Sequence, residues 1–79
     1  MDVTQVTNAL TETLELIEDL EENYPSLWDK GEEFFESVRG SCSSMLTSLM
    51  MQDSATSGQY SAAKNWNAGV KKWHPDYTG

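Results

Sequence analysis

His74 is the only histidine of the chain and Cys42 the only cysteine, so Ser-His-Asp or Cys-His nucleophilic chemistry would have to run through them. Neither stands in a pattern that activates it. His74 lies in His74-Pro75-Asp76 at the expected end of a helix, where an imidazole readily meets the last carbonyls. Cys42 falls on an apolar stripe between Val38 and Met45, where burial raises a thiol's pKa and suppresses the reactive thiolate. Glu15, Glu18 and Glu22, and again Glu32, Glu33 and Glu36, place carboxylates on shared helix faces. A di-iron bundle would need Glu-x-x-His from two helices, and the sequence has none. Residues 53–64 set Gly58 at the sixth position of a calcium-loop frame, but Ala55 occupies a ligand position and Lys64 replaces the bidentate glutamate. No Gly-x-Gly-x-x-Gly or Walker sequence cradles a phosphate. The expectation is a non-enzymatic protein with no catalytic residue, no metal and no cofactor.

What remains is chemistry of contact. Three tryptophans, three tyrosines and four methionines are many large side chains for 79 residues. Trp66 and Trp73 lie seven apart on one face, and Met45, Met50 and Met51 gather at the end of one helix. Aromatic anchors and adaptable methionines suit protein interfaces, though the same residues also fill cores. Leu16, Trp28, Phe34 and Met51 fall at the edges of their stripes, where an exposed patch is expected.

The elements that position these groups follow from spacing. Trp28, Gly31, Phe35, Val38, Cys42, Met45 and Leu49 alternate steps of three and four, one stripe of a long amphipathic helix around which the chain is expected to organise. Val3, Val6, Leu10, Thr13, Ile17, Leu20 and Tyr24 do the same ahead of it, with Asp2 and Gln5 suited to a capping box. Pro25 breaks the run and Ser26 offers a new cap, so two long helices must fold back as an antiparallel hairpin. Residues 52–57 read as a loop, Ser57 as the cap of a shorter helix carrying Ala62, Ala63, Trp66, Val70 and Trp73, and Pro75 as its stop. The predicted fold is all-α, a single three-helix bundle with helices at about 3–23, 27–51 and 58–73 and a short C-terminal tail. Gly31 and Gly40 inside the second helix, and the small run Gly40 to Ser44, predict close approach of another helix or a bend. Trp28-Asp29-Lys30-Gly31 is one residue too long for the Trp-x-Gly of small secreted helical-hairpin proteins, and that family is not assigned.

The formal net charge is −8. Residues 1–24 carry seven carboxylates and no Lys or Arg, whereas Lys64, Lys71 and Lys72 make residues 52–79 mildly basic. This sign disfavours nucleic acid and anionic membrane surfaces as direct partners and favours basic proteins. Glu21 and Glu22 at a helix C-terminus oppose the dipole, so either solvent screens them or a basic group comes close, with Lys64, Lys71 and Lys72 the obvious donors. No charged-then-apolar leader and no apolar run of ~20 residues is present, and with one unpaired cysteine a cytoplasmic location is expected.

These observations predict protein–protein interaction, by self-association or by docking to a basic partner surface, with Glu12, Glu15, Glu18, Asp19 and Glu22 steering and Met50, Met51, Trp66 and Trp73 anchoring. The alternative expectation is an inhibitor whose acidic helix mimics nucleic acid and blocks a DNA- or RNA-binding protein.

Overall fold

The computed structural model describes residues 2–78, and every regular element among them is helical. Helix α1 spans Val3–Asn23, α2 Pro25–Leu49, α3 Ser57–Lys71, and a single turn, α4, Pro75–Thr78. Asp2 starts α1 by accepting from the Thr4 amide at 2.9 Å. One residue, Tyr24, separates α1 from α2. Its amide closes α1 on the Leu20 carbonyl, and its own carbonyl accepts from Trp28 N at 2.9 Å. The predicted Ser26 cap is therefore superseded. Pro25 takes the first helical position, where its missing N–H costs nothing, and α2 begins and ends two residues earlier than the expected 27–51.

The cap of α3 is Thr56 rather than Ser57. Its hydroxyl accepts from Gln59 N at 3.1 Å, and the Gln59 side chain accepts from Thr56 N at 3.0 Å, a complete capping box. Gln52 closes the same corner by exchanging side-chain bonds with Gln59. Ala55, in what reads as a polar loop, is buried.

The helices run up, down, up. His74 pairs with Asp19 and Asn67 with Thr13, so α3 lies parallel to α1, while α2 returns antiparallel. The organising helix is α1, not α2 as the stripe of Trp28 to Leu49 suggests. α1 packs extensively on both neighbours, whereas α2 and α3 meet little. Val6, Leu10, Ile17 and Leu20 are wholly buried, each worth about 1.5–3 kcal/mol relative to exposure. Thr13 shares that face and remains satisfied, its hydroxyl donating to Ala9 O at 2.7 Å and accepting from Asn67.

Two glycines of α2 behave oppositely. Gly31 leaves helical geometry (φ −114°, ψ 15°) and is buried, and a β-carbon there would lie 2.9 Å from the Phe35 ring and 3.3 Å from Trp73. The bend and the close approach belong here. Gly40 is exposed with nothing within 4 Å of a β-carbon, so the close approach expected there does not occur at this glycine. Close approach to α3 comes instead at Gly69, where Phe34 would meet a β-carbon at 3.0 Å.

Candidate functional site

The hairpin end is filled with aromatics. Trp28 stacks on Phe35 at 5.2 Å, and Trp73 meets Phe35 edge-on at 5.3 Å. Trp28, expected at an exposed edge, is buried, with the Arg39 guanidinium 5.2 Å from its ring centre. Trp73 is half-buried, packed against the core at Phe35. Trp66 is half-buried beside Met45, on the wall of an open groove of about 670 Å³ between α2 and α3, floored by Gly40, Ser41 and Ser44.

His74 is 1% exposed, far more enclosed than a helix-end histidine suggests. Its Nε2 meets Asp19 Oδ2 at 2.5 Å while Nδ1 accepts from the Asp76 amide at 3.2 Å. Tyr24 and Tyr77 flank the ring edge-on. The imidazole thus ties the chain's end to α1, and its bond with a second from Asn23 holds the Asp19 carboxyl below its ordinary pKa. Cys42 is buried, and desolvation pushes its thiol up to about 11. Among the described residues no three His, Cys, Asp or Glu side chains converge as a metal site.

The five carboxylates singled out on α1 divide in two. Glu12 bonds Asn67 at 2.8 Å and Lys71 at 3.0 Å, which lowers its pKa, with the Asn67 bond the larger cause. With Asp19 it serves the fold. Glu15, Glu18 and Glu22 are exposed and form no ion pair among the described residues. The cation beside the acidic end of α1 is Arg39 of α2, which bonds Glu21 at 2.8 Å and Glu36 at 3.1 Å, rather than a lysine of the tail.

Met50 and Met51 are 85% and 87% exposed, just beyond α2. Beside them Val3, Thr7, Leu46 and Leu49 line a shallow apolar dent of about 320 Å³ with Met50. The up-down-up topology brings three segments to this end, 2–11, 40–52 and 53–63, and their charged residues are Asp2 and Asp53 alone. The hairpin end carries most of the other charges. No single stretch of sequence displays this segregation, because it arises when uncharged pieces of three helices fold to one place.

The sequence carries no signal for the structural parts of Asn67 and Arg39; for Ala55 the signal is its being the one apolar residue in a polar loop. No helix among the described residues is long and apolar enough to cross a membrane. Compared with known proteins, the chain matches no family model, no curated protein and no solved structure.

Proposed function

We propose that this chain is a non-enzymatic interaction protein that self-associates through its charge-poor end. The observation that carries the reading is the exposure of Met50 and Met51 beside an apolar dent, on the end from which charge is nearly absent. A protein of net charge −8 would ordinarily repel its own copy. Here the long dimension is 40 Å, and copies meeting at the methionine end hold their acidic ends several Debye lengths apart, each length ~8–10 Å near physiological salt. Repulsion is then small. Each buried methionine contributes about 1.5–3 kcal/mol, with two from each copy. Lost translational and rotational freedom opposes this by ~4–15 kcal/mol, so the association is reversible rather than permanent.

The test is the double substitution Met50→Ser/Met51→Ser. Both side chains are almost fully exposed, so thermal stability is expected to hold while the association constant falls about tenfold or more. Unchanged association in the double variant would remove this end from consideration. Mimicry of nucleic acid is the second reading, favoured by Glu15, Glu18 and Glu22 standing unpaired on one helix with no Lys or Arg. Its binding to a basic protein would weaken steeply with salt, whereas the methionine contact would not.

A further inference from the structure

At the opposite end from the methionines, the Gly31 bend opens a recess of about 720 Å³. Its apolar wall is Phe34, 39% exposed, together with the half-buried Trp73. Asp29, Glu32 and Glu33 rim it, all exposed and without an ion pair among the described residues, and Lys30 is the lone cation on the lining. Glu36 also lines it but is engaged by Arg39.

Trp73 seats against Gly31, and Phe34 lies over Gly69, close approaches that a β-carbon would obstruct. Aromatic surface rimmed by unpaired carboxylates is complementary to one side-chain chemistry in particular. A guanidinium lies flat on an aromatic face while its N–H edge bonds carboxylates in pairs, and it is more weakly hydrated than an ammonium. An anionic or purely aliphatic occupant would leave the rim repelled or unpaired.

We propose that this recess is a docking site for an arginine-bearing segment of a basic partner protein. The site is separate from the methionine end and does not rest on self-association, since a single copy holds the whole recess.

The experiment titrates the isotopically labelled protein with a short blocked peptide carrying two arginines around one glycine, at ~0.15 M ionic strength so that diffuse attraction is screened. Amide shift changes are expected to concentrate on residues 29–36 and 69–73. Asp29→Asn/Glu32→Gln/Glu33→Gln is expected to weaken the peptide about tenfold, while Glu15→Gln/Glu18→Gln/Glu22→Gln, the same change in net charge on α1, shifts affinity less than roughly twofold. All six positions are exposed, so both variants should fold, which thermal melts verify. A matching lysine peptide should bind several-fold more weakly. Equal weakening by the two triple variants, or shift changes centred on α1, would overturn the proposal by reducing the effect to bulk charge. Running the titration on the Met50→Ser/Met51→Ser background separates it from self-association.

Discussion

Gly31 and Gly40 sit nine positions apart in one helix, yet their surroundings assign them opposite mutational signs. An alanine methyl at Gly31 would press to 2.9 Å from the buried Phe35 ring, and the backbone there is non-helical, so helix propensity offers little compensation. Gly31→Ala is expected to destabilise by about 1–3 kcal/mol, the usual range for overpacking. Gly40→Ala meets nothing within 4 Å and should stabilise by about 0.5–1 kcal/mol. Denaturant melts of the two variants decide both signs. From sequence the pair is indistinguishable, because each is a glycine in a helical pattern and only the facing side chains differ. Titration acts at this scale too. Asp19 and Glu12 are both held below their ordinary values by hydrogen bonds, so each is ionised in the folded state over a pH range where the unfolded chain is protonated. Their contribution is complete above the unfolded values, ~4, and is lost as pH falls through the lower folded ones. Stability measured between pH 6 and 2 should therefore decline through the acid range, and Glu12→Gln with Asp19→Asn should flatten that decline. An undiminished decline in the double variant would assign the acid sensitivity to other carboxylates.

At the scale of elements, α1 was legible almost to the residue, because Asp2 caps it and Pro25 ends it. The start of α2 moved because Pro25 itself takes the first helical position, and that of α3 because two competing caps stand side by side. Thr56 and Ser57 carry equivalent hydroxyls, and the choice falls to Thr56 because Gln59 is three residues on and completes the box. Thr56→Ala is expected to cost about 1 kcal/mol in a thermal or denaturant melt and Ser57→Ala only a few tenths; the reverse order would contradict the assigned cap. Spacing also misplaced the organiser. The stripes of α1 and α2 read as equivalent, but α1 also engages both neighbours along its flanks, with Glu12 holding Lys71 of α3, Asp19 holding His74 just beyond it and Glu21 meeting Arg39. Those carboxylates read as surface charge, since partners 18 or more residues away leave no local periodic trace. His74 is the same case from the other side, an apparently terminal histidine that closes the aromatic end of the bundle between Tyr24 and Tyr77.

At the scale of the molecule, the all-α class and the up-down hairpin followed from pattern and a one-residue break, and the third helix from its caps. The distribution of function-bearing surface did not. Composition reads as an acidic head and a basic tail, whereas the fold sorts charge by end: carboxylates and the aromatic recess at the hairpin, bare methionines and an apolar dent at the other. In the function we propose, this two-ended molecule would join copies at one end and leave the other open to a basic partner. Joining copies is the central claim, and sedimentation equilibrium over a wide concentration range at two salt concentrations tests it most directly. The expected result is an average mass that rises from 8.9 kDa toward twice that value with concentration, holds or strengthens at high salt, and reverts toward one chain for Met50→Ser/Met51→Ser. A mass fixed at one chain throughout, or an association that dissolves in salt and ignores the two methionines, would contradict it.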